Sequence, residues 1–163
     1  MLMFVNTLLK EKGRILRCVF EKIGASLNIN TFENRLRIQK IVYMLQLHPE
    51  FRGKLNYNFN MFICGPYSPE LAHVYYNLPE SGYRDDIKIS ENAIAYAKEV
   101  ISKNTSFLEV AATLVEIKKI NKNISESELI EKVKSLKPSY HPDFVREVLE
   151  EVKHLRDKYN IVF

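Results

Sequence analysis

The stretch Tyr57–Glu70, YNFNMFICGPYSPE, constrains the fold more than any other part of the chain. Tyr57, Phe59, Met61 and Ile63 alternate with Asn58, Asn60, Phe62 and Cys64, and this period of two, rich in aromatic residues, predicts a strand. Its second face begins polar and ends apolar, so burial is expected to increase toward Gly65. Gly65 permits an unusual backbone angle and Pro66 is expected to block further strand pairing. Ser68 is a good N-cap, Pro69 suits a first helical position and Glu70 a first turn. A helix is therefore predicted to about Asn77, ahead of Pro79 and a loop containing Gly82. Tyr67 alone has no backbone task here: it is either the hydrophobic pin of the turn or a side chain presented to a partner.

A strand needs a partner, and Asp86–Ile89 is the expected one, giving a small antiparallel pair laid against helices. The remainder reads as helical. Val5, Leu8, Leu9, Ile15, Leu16, Val19, Phe20 and Ile23 recur at helical spacing from Leu2 to Leu27. Gly13 is expected to weaken or break this helix and Gly24 to stop it. Thr31 caps a helix in which Ile38, Ile41, Val42 and Leu45 form one apolar stripe, with Arg35, Arg37 and Lys40 falling away from it. His48 and Pro49 are expected to end that region.

Ser90 caps a helix from Glu91 to Ser102, and Thr105 or Ser106 starts the next. Ser125 and Glu128 fit a capping box, Lys137-Pro138 closes that helix, and Pro142 opens the last one. The expected fold is mainly α (α+β): a compact helical domain of about six to seven helices with a small two-stranded antiparallel sheet. Residues 1–163 form a single domain, with a basic N-terminal helix over 1–27 and a three-helix portion over 105–163.

A chain of 163 residues can bury a core without a disulfide or a metal. Cys18 and Cys64 each sit in an apolar run and read as buried thiols in a reducing compartment. No apolar run approaches the ~20 residues of a membrane helix, and the N-terminus lacks the layout of a signal peptide. A cytoplasmic location without membrane contact is expected.

Little chemistry is visible. The five glycines are scattered, which excludes a phosphate-cradling loop, and His48, His73, His141 and His154 form no metal pair. No cofactor or metal is expected. Ser68 or Cys64 with His73 is a conceivable nucleophile and base, but an N-cap hydroxyl is already engaged. Asp85-Asp86 and Glu150-Glu151 are adjacent and so diverge on regular backbone. The final helix carries more acids than bases, which disfavours it as a DNA-reading helix.

The basic excess lies early: residues 1–56 hold ten Lys and Arg against four Asp and Glu. Arg37, Lys40 and Tyr43 are spaced three apart and form a ribbon on a helix. It is either an anion- or partner-facing strip, with Tyr43 as an aromatic platform, or a solvated face with snorkelling stems.

Two segments in this order, Ile38-Gln39-Lys40-Ile41-Val42-Tyr43 and Gly65-Pro66-Tyr67-Ser68-Pro69, resemble the Panacea (SocA-like) antitoxin superfamily and its YwgA-like relatives. A weaker likeness runs through Ala112-Thr113-Leu114 and Lys137-Pro138. The longer, more basic N-terminal helix brings the chain nearer the YwgA-like branch. The resemblance implies a compact, mostly helical, metal-free domain that binds a protein, as family antitoxins bind their toxins, and it implies no catalytic residue.

The leading expectation is a non-enzymatic protein-interaction module, antitoxin-like or defence-related, whose partner is a toxin or regulatory target. Its expected binding residues are Arg35, Arg37, Gln39, Lys40, Tyr43 and Tyr67, braced by the turn of Gly65, Pro66, Ser68 and Pro69. The alternative is nucleic-acid binding through the basic first third; an enzyme centred on Cys64, Ser68 and His73 ranks last. Self-association as a homodimer is left open.

Overall fold

The computed structural model describes residues 2–79 and 86–163. Gly82, Asp85 and the side chain of Val5 lie outside the described residues. Those described form eight helices and one two-stranded sheet: α1 (Leu2–Ile23), α2 (Phe32–Leu45), α3 (Pro49–Leu55), β1 (Asn60–Phe62), β2 (Gly65–Tyr67), α4 (Pro69–Tyr76), α5 (Glu91–Ser102), α6 (Thr105–Ile120), α7 (Glu126–Leu136) and α8 (Pro142–Tyr159). The expected class, mainly helical with a small antiparallel pair, is the observed one.

Local chemistry sets the helix starts. Thr31, Ser90 and Ser125 accept the backbone N–H three residues on, and Ser125 and Glu128 complete a capping box. Asn104 caps α6, so Thr105 is its first residue. Three helices share a cap–proline–acid start: His48-Pro49-Glu50, Ser68-Pro69-Glu70 and His141-Pro142-Asp143. In the two histidine cases ring Nδ1 accepts the N–H of Glu50 or Asp143, at 3.3 Å each. His48 and Pro49 thus begin α3 and do not merely end α2, because proline at a first helical position gives up an N–H that has no partner there anyway.

Gly13 does not break α1. A Cβ there would stand 2.9 Å from Pro79 Cδ, so the absent side chain lets the segment after α4 cross closely. A glycine penalty of about 1 kcal/mol is small beside the buried face of such a helix.

The sheet departs from expectation. Its second strand is not Asp86–Ile89, which is irregular, but Gly65–Tyr67. Asn60 pairs with Tyr67, Met61 with Pro66 and Phe62 with Gly65, a hairpin closed by Ile63 and Cys64. Neither of those two residues has a positive φ, so the left-handed residue that reverses the chain is Gly65, at φ +84°. Pro66 lies inside β2 and does not end pairing. A two-stranded ribbon leaves alternate N–H groups outside the ladder, and proline fits such a position. On the second face Asn58, Asn60 and Phe62 are exposed and burial rises only at Cys64, which is half-buried, ahead of the buried Gly65; on the first face it falls, from buried Tyr57 through half-buried Phe59 and Met61 to Ile63, 94% exposed at the tip.

α2 is the central element. It packs most extensively on α6 and also touches α3, α4, α5 and β2. Every residue from Ile38 to Leu45 is buried. The single apolar stripe read from the sequence is therefore only one side of a helix that is enclosed all round from Ile38 to Leu45, while its first two residues are exposed. α1 packs on α3, α4 and α5, while α6, α7 and α8 pack on one another.

Candidate functional site at the hairpin

The two resemblance segments meet in space. Gln39 is buried, its side-chain N–H donating to Ser68 O at 2.9 Å and its Oε1 accepting from Ser68 N at 2.9 Å. The amide thus pairs with Ser68 as a neighbouring strand would. Ser68 itself is fully buried, and its hydroxyl accepts the N–H of Leu71 at 3.2 Å. The next residue of α2, Lys40, is fully buried and its Nζ donates to Pro66 O at 2.5 Å. From the other side, α6 offers Thr113 against Gly65. Glu109, also on α6, accepts from Lys137 Nζ and from Tyr140 Oη. The hairpin base is held by buried polar contacts from α2 and packs on α6 from the other side.

Burial pulls the Lys40 ammonium down to about 8; nearby Lys137 adds to this, while Glu109 and Cys64 oppose it. Between about 8 and the ordinary 10.5 the unfolded chain holds a proton that folded Lys40 has released, so stability rises with pH across that window. Comparing about pH 7.5 with about pH 9.5, wild type is expected to gain about 2 kcal/mol relative to Lys40→Met, read from urea unfolding. Parallel pH profiles for the two proteins would show that Lys40 titrates normally.

This placement corrects the surface-strip reading. Arg37, Lys40 and Tyr43 do share a face, but that face is turned inward. Arg37 donates to Lys103 O at 2.7 Å and Ile101 O at 2.6 Å, closing the C-terminal end of α5 where orphan carbonyls favour a cation. Tyr43 Oη donates to Glu116 Oε2 at 2.7 Å, and burial followed by that carboxylate pushes its hydroxyl well above the usual tyrosine range. Arg35 is half-buried and donates to Ile29 O at 2.8 Å. Other early cations are spent similarly: Lys12 reaches Asn56 O and Glu70, and Arg17 reaches Pro79 O. Much of the basic excess of the first third therefore secures backbone carbonyls.

What the hairpin presents is apolar. Phe62 and Ile63 at its tip, Phe32 on α2 and Tyr76 on α4 are 53%, 94%, 64% and 58% exposed, and all four line one cleft of about 300 Å³. Tyr67 lines it too, half-buried, its ring edge-to-face with Phe62 at 5.4 Å. Tyr67 thus both pins the hairpin and borders the cleft. Gln39 and Lys40 reach the cleft from inside, Arg35 stands on its wall, and among the described residues no carboxylate lines it. Cys64 is only half-buried and belongs to the same lining, unlike the buried Cys18.

Sequence reasoning named Arg35, Gln39, Lys40 and Tyr67 but missed Phe32, Phe62, Ile63 and Tyr76. Phe62 and Ile63 were hidden by the strand pattern that they continue. A reversal at Ile63-Cys64, two residues before Pro66, was the available signal. The nucleophile pairs gain nothing: Ser68 is committed to capping and His73 is exposed on α4. No family model, curated protein or solved structure matches the chain.

Proposed function

We propose that this protein is a non-enzymatic interaction module that captures a partner protein through the apolar cleft at the hairpin tip. The observation that carries this reading is the gathering of Phe32, Phe62, Ile63 and Tyr76, four of the eight exposed large hydrophobic side chains among the described residues, around one concavity. Isolated exposed apolar residues are ordinary, whereas a contiguous patch is characteristic of a binding surface. The occupant is a segment of a different protein that inserts apolar side chains beside a carboxylate. Lys40 is fully buried and committed to Pro66 O, so Arg35 is the charged group that the lining offers to a partner, and an acidic side chain complements it. The hairpin is held from within by Gln39 and Lys40, so the surface is preformed and costs little to order. The resemblance to antitoxins adds a toxin or a defence-related target as the kind of partner.

Ile63→Asp tests this, since the side chain supports nothing internal. With tagged protein expressed in its own host, the variant is expected to lose a specific partner that wild type and the distant surface variant Leu136→Asp both retain. On the purified pair the affinity should fall on the order of thirtyfold, as for a central hot spot. A partner held equally by Ile63→Asp, or a dimer of this chain that the substitution dissolves, would overturn the reading.

A further inference from the structure

A second cleft, of about 750 Å³, lies where the ends of α2 and α6, the helix α3, the segment 56–59 and the C-terminal residues 162–163 meet. Four cations line it, Arg52, Lys118, Lys119 and Lys122, against a single carboxylate side chain among the described residues, Glu116. Glu116 is already engaged by Tyr43 Oη at 2.7 Å. The whole chain carries a net charge of only +4, so this concavity holds a large share of the excess.

Three of these cations have partial structural reasons, Arg52 lying in the last turn of α3. Lys118 donates to Ile124 O at 2.9 Å, and lysines in the last turn of α6 suit the negative end of its dipole. That does not account for Lys122 beyond α6, nor for the convergence of Arg52 and Lys122 on the same space from separate elements. Among the described residues none of Arg52, Lys119 and Lys122 forms an ion pair with a carboxylate; the ion pairs lie elsewhere. Arg52 spends Nε on Gln46 O at 3.2 Å. Lys119 stands over the Tyr43 ring, Nζ 4.9 Å from the centroid. Partial burial lowers its pKa, with Glu116 opposing and Arg52 adding to the effect, the sign expected where cations are crowded without counter-charge.

We propose that this cleft binds a nucleotide, with its phosphates among Arg52, Lys119 and Lys122 and its base against the half-buried rings of Phe59 and Phe163. The volume falls within the roughly 300–1,000 Å³ of small-molecule sites. Convergence of charge on one concavity suits a multiply charged phosphate group, whereas an acidic peptide spreads single charges along an extended chain. Arginine's planar fork and the lysine point charges are the donors that phosphate oxygens take. The nucleotide is either free or one unit of a single strand, and both present the same chemistry to the cleft.

Fluorescence anisotropy with labelled adenosine diphosphate and with a labelled single-stranded oligonucleotide of roughly ten nucleotides separates these sources. Binding of either is expected, falling steeply with salt as counterions are released. A strand bound much more tightly than the diphosphate identifies the polymer as the ligand; comparable affinities identify the free nucleotide. Arg52→Ala with Lys122→Ala, and independently Lys119→Gln with Lys122→Gln, are expected to weaken binding on the order of tenfold or more with unchanged circular dichroism. These side chains are exposed, so the fold is retained. Failure of both probes to bind, equal affinity in both double variants, or tighter binding of a polyglutamate peptide than of either probe overturns the proposal.

Discussion

Gln39→Leu is expected to destabilise the protein by about 3–4 kcal/mol, because two buried backbone groups lose their partners at once. Gln39 is 1% exposed, and its amide satisfies both the N–H and the C=O of Ser68, which is itself fully buried. Leucine fills nearly the same volume, so almost none of the loss comes from a cavity. Each orphaned group costs about 1–3 kcal/mol because water cannot reach it. Ser68→Ala is the instructive comparison. It removes only the cap on Leu71 and should cost about 1 kcal/mol. Chemical denaturation followed by circular dichroism measures both, and the ordering matters more than the values. Were Gln39→Leu no worse than Ser68→Ala, the amide grip on the turn would not be what holds the hairpin to α2.

Gly65→Ala should cost a comparable amount, about 3 kcal/mol, through two separate penalties. At φ +84° an L side chain is strained by about 1–2 kcal/mol. The added Cβ would also stand 2.6 Å from Thr113 Oγ1. Thr113 cannot easily turn aside, since it is β-branched on a helix and its hydroxyl donates to Glu109 O at 2.8 Å. Relief by movement of the hairpin would pull Pro66 O away from Lys40 Nζ. Thr113→Ala introduced with Gly65→Ala removes the collision but not the backbone strain. The double variant is therefore expected to recover about half of the loss, a coupling of about 1–2 kcal/mol. Strictly additive effects would falsify the steric part of this account.

The pairing of a Gln-Lys-x-x-Tyr helix with a Gly-Pro-Tyr-Ser turn acquires a physical reason in these contacts. Gln39 and Lys40 are spaced to reach the backbone of Ser68 and Pro66, so each segment supplies what the other lacks. The same contacts explain why the strip formed by Arg37, Lys40 and Tyr43 was misread from the sequence. Charge on a helix normally marks its solvent face, and nothing local distinguishes a lysine that reaches water from one that reaches a buried carbonyl. Arg37, satisfied by carbonyls more than sixty residues away, illustrates the same ambiguity.

The sequence by itself determined the helical character, most helix starts and the left-handed glycine. Thr31, Ser68, Ser90 and Ser125 act on N–H groups three residues away, and Gly65 acts on its own φ, so their chemistry is complete within a few residues. Tertiary structure alone decided which strand β1 would pair with, that α2 would be enclosed from Ile38 to Leu45, and where the two clefts would form. Asp86–Ile89 and Gly65–Tyr67 are both extended-compatible segments, and the second prevails because α2 and α6 hold its backbone from both sides. The apolar cleft joins Phe32 to Phe62 and Tyr76, and the basic cleft joins Arg52 to Lys122, across separations that no periodicity of helix or strand connects. A surface assembled from several elements exists only once their packing is fixed, and that packing is a property of the whole core.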